Sequence, residues 1–115
     1  MADVDLELKR LEDFHGTEEY HEAWLGVVAT DGVKYVMENG YSWIVTDSIS
    51  AIKTELADQR FLVVKLILLP GKKARMIIDD GNGSVLCTQE YDYTDAKREL
   101  KLYYTDEVIM LPGEY

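Results

Sequence analysis

The nine residues Phe61–Leu69, Phe-Leu-Val-Val-Lys-Leu-Ile-Leu-Leu, constrain this chain more than any other segment. A membrane span needs about 20 apolar residues, so this run is too short, and Lys65 interrupts it. Its branched side chains suit a central strand covered on one face and partly on the other. The chain beyond Leu69 supplies neighbours for it. Pro70-Gly71-Lys72-Lys73 reads as a turn. The segments 74–79 and 84–93 flank Asp80-Gly81-Asn82-Gly83, a hairpin signal because Asn-Gly tolerates the positive φ that tight turns require. Segments 99–104 and 107–111 surround Thr105-Asp106 as a last pair.

The first half has a different period. Val4, Leu8, Leu11 and Phe14 recur at steps of four and three, which places them on one helical face closed by Gly16. Thr17 then caps a short turn with Glu18 and Glu19 near the helix dipole, leaving Tyr20 and Trp24 one turn apart; a strand through 24–28 is the alternative. Thr30-Asp31-Gly32 opens a capped helix with Val33, Val36 and Met37 inward and Gly40 as its stop. A brief strand over 41–45 is expected next. Thr46 or Asp47 would then cap a third helix carrying Ile49, Ile52 and Leu56. The expected fold is α+β, with N-terminal helices on one face of an antiparallel meander of about four to six strands.

At 115 residues the chain suits a single domain able to bury one core without staples. The start, Met-Ala-Asp-Val-Asp, lacks the basic and apolar regions of a signal peptide, and one cysteine permits no internal disulfide. A cytoplasmic location is the expectation. The net charge is −10, and residues 1–22 hold eight acids against two bases. That field opposes direct binding of nucleic acid, which needs Lys and Arg to displace counterions, and equally an anionic membrane. A basic protein would be attracted, although acids also serve solubility alone.

Motifs for catalysis are weak. His15 and His21 lie near Glu18, Glu19 and Glu22, yet no His-Glu-x-x-His spacing or cysteine cluster accompanies them. The segment 79–83 resembles a calcium loop only superficially. Counted from Asp80, Val85 and Tyr91 occupy the positions that need glycine and glutamate. Cys87 sits in an alternating strand, where a core filler is more natural than a thiolate. No nucleophile elbow or phosphate-binding glycine pattern is present. No cofactor or metal is therefore expected. Thr-Asp pairs at 30, 46, 94 and 105 are unequally spaced; side-chain oxygens that accept from free backbone N–H groups account for them. The aromatic content is mostly amphipathic, with eight tyrosines and two tryptophans against two phenylalanines. Such residues suit both interfaces and half-wet strands. Tyr91 and Tyr93 should share a face, whereas Tyr103 and Tyr104 should point oppositely.

Several motifs occur together in order. They are Phe14-His15-Gly16-Thr17-Glu18, Thr30-Asp31-Gly32-Val33-Lys34-Tyr35, Tyr41-Ser42-Trp43 followed by Asp47, Asp80-Gly81-Asn82-Gly83, Tyr93-Thr94-Asp95 and Leu111-Pro112-Gly113-Glu114-Tyr115. With them the chain resembles a bacterial family of unknown function, DUF6876, over nearly its whole length. Ala96-Lys97 departs from the phenylalanine and proline of the family pattern. The resemblance implies no reaction and no catalytic residue. It does imply a compact accessory protein, with members on mobile elements.

The leading expectation is a small protein-binding module for a basic partner, in a narrower form an inhibitor of a nucleic-acid-binding protein. Tyr20, Trp24, Tyr35, Trp43, Glu114 and Tyr115, with His21, Asp31 and Asp47, are its candidate binding residues. A small-molecule binder or enzyme using His21, Asp31 and Asp47 in a pocket between helices and sheet is the alternative. Self-association as a homo-oligomer is the third reading.

Overall fold

The structure is a computed structural model that describes residues 19–115. The periodic segment 4–14 and the Gly16–Thr17 turn lie outside the described residues. Seven strands form one sheet: β1 (His21–Trp24), β2 (Val27–Ala29), β3 (Phe61–Leu69), β4 (Lys73–Asp79), β5 (Val85–Tyr91), β6 (Leu100–Thr105) and β7 (Val108–Met110). Helices α1 (Asp31–Val36) and α2 (Ser42–Glu55) stand between β2 and β3. The architecture is α+β.

Strand order is β1-β2-β7-β6-β3-β4-β5. The long apolar run is indeed interior, paired antiparallel with β4 from Val63↔Asp79 to Leu69↔Lys73 and with β6 from Phe61↔Thr105 to Leu66↔Leu100. The meander is incomplete as a description, because β2 pairs parallel with β7 through Val28↔Val108 and Ala29↔Ile109. Two antiparallel steps separate β7 from β3, so β2 and β3 run the same way. The helices are the crossover that carries the chain from β2 past the places of β7 and β6 to interior β3.

Residues 20–24 are not helical. Glu22 pairs with Val28 and Trp24 with Val27, and the reversal falls on Leu25 and Gly26, both at positive φ. Asp106 and Glu107 make the corresponding turn between β6 and β7, again both at positive φ. Two-residue hairpins favour that conformation because it matches the strand twist. Leu25, Asp106 and Glu107 adopt it without being glycine or asparagine, so neither turn carries the usual dipeptide signal.

No strand forms over 41–45: Tyr41 precedes α2 at the kink, and residues 42–45 are the first turn of α2. Ile44, Val45, Ser48, Ile49 and Ile52 are all buried, so the helical period starts five residues earlier than Ile49 suggests. Gly40, at φ 98°, does stop the first helix, but the chain restarts at once across a kink at Asn39 and Gly40. Thr46 and Asp47 therefore lie inside α2. The expected positive φ at Asn82 also shifts. It falls on Gly81 and Gly83, and a longer loop closes through the Asp80 N–H on the Ser84 carbonyl. Gly81 is obligatory for a second reason, since a Cβ there would stand 2.9 Å from the Phe61 ring.

Buried side chains from α1, α2 and alternate positions of β2, β3, β4, β6 and β7 belong to one hydrophobic cluster. Tyr104 is inside it. Tyr103, as its neighbour must, points to the opposite face and packs with Phe61 and Tyr115, ring centroids 5.3–5.5 Å apart.

Candidate functional site

Two constellations draw on the singled-out motifs. The first joins Thr30-Asp31-Gly32 to the C-terminal Leu-Pro-Gly-Glu-Tyr. Thr30 caps α1: its hydroxyl accepts from the Val33 N–H at 3.4 Å and donates to Glu114 Oε1 at 2.6 Å. The Glu114 carboxylate accepts two further bonds, from the N–H of Leu111 at 3.0 Å and of Gly32 at 3.0 Å. Three donors on one carboxylate make charge-assisted contacts at the positive end of a helix. Gly32 permits the approach, since a Cβ there would sit 2.5 Å from Leu111 Cδ1 and 2.6 Å from Glu114 Oε1. Beside this clamp, His21 Nε2 meets Asp31 Oδ1 at 2.8 Å and ties β1 to the start of α1. These contacts are structural chemistry: they position termini and saturate polar atoms.

The second constellation is a cleft of about 240 Å³ lined by Trp43, Tyr91, Tyr93, Thr94 and Asp95. Its Trp43 and Tyr91 rings meet edge to face at 5.1 Å and 75°. The indole N–H donates to the Gly40 carbonyl at 3.1 Å, which explains Trp43 at the helix kink. The Tyr91 hydroxyl donates to Asp47 Oδ2 at 2.8 Å. Buried Thr94 anchors the outer wall: its N–H donates to the Lys72 carbonyl at 2.8 Å, and its hydroxyl accepts from the Ala96 N–H at 3.0 Å. Tyr41, almost wholly buried, accepts from the Lys97 N–H at 3.2 Å and fixes the same loop to the helices.

Burial, followed by the bond to Asp47, pushes the Tyr91 phenol above its ordinary value. A phenol ordinarily loses its proton near pH 10, so folding favours the protonated form. Its contribution to stability is complete below about pH 10 and is lost as pH rises above that, toward the folded value. Urea unfolding across the alkaline range should therefore show wild-type stability falling more steeply than that of Tyr91→Phe. Parallel curves would contradict the assignment.

Cys87 lies near Glu55, its Sγ 3.8 Å from Oε2, and burial, then that carboxylate, raises its thiol value. Cys87 is thus a poor thiolate, half-buried against the core rather than filling it. Asp79 is explained by its neighbours too. It receives the Gly81 N–H at 2.8 Å and an ion pair from Lys65 at 3.3 Å. Among the described residues, no three His, Cys, Asp or Glu side chains are grouped to hold a metal ion, and no helix is long and apolar enough to cross a membrane. The Thr-Asp pairs divide evenly. Thr30 and Thr94 do accept from backbone N–H groups, whereas Thr46 donates to the carbonyls of Ser42 and Trp43, and Thr105 donates to that of Arg60.

With this geometry in place, the sequence model of one family spans residues 5–115. The chain belongs to DUF6876, a family of unknown function. No curated protein and no solved structure matches it. Thr30, Gly32, Leu111 and Glu114 build the clamp, while Trp43, Tyr91, Tyr93, Thr94 and Asp95 line the aromatic cleft and Asp47 holds Tyr91.

The candidate residues are accordingly dispersed. His21, Asp31 and Glu114 share the clamp region, but Asp47 is held by Tyr91. Trp43 is in the cleft. Tyr35 is half-buried in α1, and its carbonyl accepts from the Asn39 side chain at 2.8 Å. Tyr20 and Trp24 are exposed at the β1 edge, and Tyr115 joins the opposite face of the sheet. Tyr91, Tyr93 and Asp95 are not among the sequence candidates. The shared face of the two tyrosines is the available signal, and it lacks its partner until α2 supplies Trp43.

Proposed function

We propose that this DUF6876 chain is a protein-binding module for a basic partner. The observation that carries the reading is where its large exposed apolar side chains fall. Apart from Tyr115, which packs beside Phe61 and Tyr103, they fall at the two edges of the sheet: Tyr20, Trp24 and Leu25 at the β1 edge, and Val85, Leu86 and Tyr93 at or just beyond the β5 edge. Aromatic residues of this kind act as anchors, because a large rigid surface becomes buried at small entropic cost. The net charge of −10 gives the sign of the partner, since complementary fields speed encounter and exclude like-charged competitors.

The test is capture by the immobilised chain at low and at moderate salt. A basic protein should be retained at low salt and reduced at moderate salt, as screening predicts. Recovery of no basic protein at either salt would overturn the reading. A narrower form, inhibition of a nucleic-acid-binding protein, takes its support from the acidity. It requires that duplex DNA compete with the chain for the captured partner.

A further inference from the structure

We infer that the Trp43–Tyr91–Tyr93 cleft is an aromatic cage for an alkylammonium group, the side chain of a lysine in a basic partner. This rests on the reading of the chain as a module for such a partner and names the contact. Three rings and one carboxylate, Asp95, line the cleft, and among the described residues no cationic side chain does. Trp43 and Tyr91 meet nearly at right angles, so together they form a corner rather than a flat surface. Tyr93, two-thirds exposed, is the third wall, and Asp95 beside it is exposed as well.

The polar ends of the two inner rings are already satisfied, the indole by Gly40 and the phenol by Asp47. What these residues still offer a ligand is π surface. An ammonium is attracted to that surface by the ring quadrupole, and methylation suits it further by lowering the cost of desolvation. Asp95 adds a full opposite charge at the mouth, and Asp47 a second behind Tyr91. The backbone that carries Tyr93 and Asp95 is anchored at Thr94 between them, and Trp43 is held by its indole bond at the helix kink, so ordering on binding is confined to the two exposed side chains. The charge of the whole chain favours the same occupant.

The test reads Trp43 fluorescence. Trp24→Phe, a change outside the cleft used for the amide titrations alone and not for partner capture, leaves Trp43 as the sole tryptophan. Titration with Nα-acetyl-Nε-trimethyllysine amide should give a saturable change, with Nα-acetyl-lysine amide weaker and the neutral Nα-acetyl-norleucine amide inert, ionic strength being matched with sodium chloride. Tyr93→Ala should weaken binding by about fivefold, the loss of one cation–π contact, whereas Tyr93→Phe retains it. Asp95→Asn should also weaken binding and reduce its salt dependence. Both positions are exposed, so the variants will fold. An equal response to norleucine amide, or none to the trimethylated amide, would overturn the cage. If the amide binds while no basic protein is captured, the cage stands and the module reading falls. If a basic partner is captured equally well by Tyr93→Ala, the module stands without the cage.

Discussion

Replacing Glu114 with alanine is expected to lower the unfolding free energy by about 2–3 kcal/mol, although the residue is next to last in the chain. Unpartnered polar atoms are the reason. The Glu114 carboxylate receives the Thr30 hydroxyl and the N–H groups of Gly32 and Leu111, and Thr30 is buried. Removing the acceptor leaves donors without partners at a desolvated helix start, which costs more than the net value of the bonds. Gly32→Ala attacks the same contact from the other side, because its new methyl would lie within 2.6 Å of both Leu111 and Glu114. Overpacking of this kind typically costs about 1–3 kcal/mol. The two changes share one clamp, so the double variant should cost clearly less than the sum. Chemical denaturation of the four proteins checks this. A fully additive pair, or a Glu114→Ala chain as stable as wild type, would show that the C-terminal turn docks without stabilising the fold.

Tyr41→Ala should be the more damaging of the two large changes, at about 3–5 kcal/mol, the range for deleting a buried aromatic ring. Tyr41 is 2% exposed and sits where the kink between α1 and α2 meets the core. Its hydroxyl also reaches the Lys97 N–H. Tyr41→Phe separates the two roles: the ring remains while the acceptor for the Lys97 N–H is lost, and the cost should fall to about 1–2 kcal/mol. Amide exchange would show the difference locally, with Lys97 exchanging faster in Tyr41→Phe while core amides are unchanged. Equal stability of Tyr41→Ala and Tyr41→Phe would mean that the ring is replaceable at the kink.

Both predictions concern residues whose weight is not visible along the sequence. Glu114 and Tyr115 stand in a short terminal motif, and nothing nearby in the chain says what Glu114 bonds. Its partners include Thr30 and Gly32, more than 80 residues away. The second half was legible because hairpins are local. Composition and turn chemistry marked β3, β4, β5 and β6, and period two put Tyr103 and Tyr104 on opposite faces. The first half was less so. The sequence Tyr41–Val45 has strand-forming residues, yet the buried stripe of α2 runs through it, and tertiary burial outweighs propensity there.

What the sequence determined by itself was the class, α+β, the interior position of 61–69, the cap at Thr30 and the sign of the net charge. Those come from periodicity, local hydrogen bonding and composition, all of which act over a few residues or over the whole chain at once. The parallel pairing of β2 with β7, the Glu114 clamp and the Trp43–Tyr91–Tyr93 corner were decided only by the tertiary structure. Each brings together groups far apart in sequence, and the crossover through α1 and α2 sets which of them meet. The long apolar run placed the middle of the sheet; the helices decided what stands at its edges.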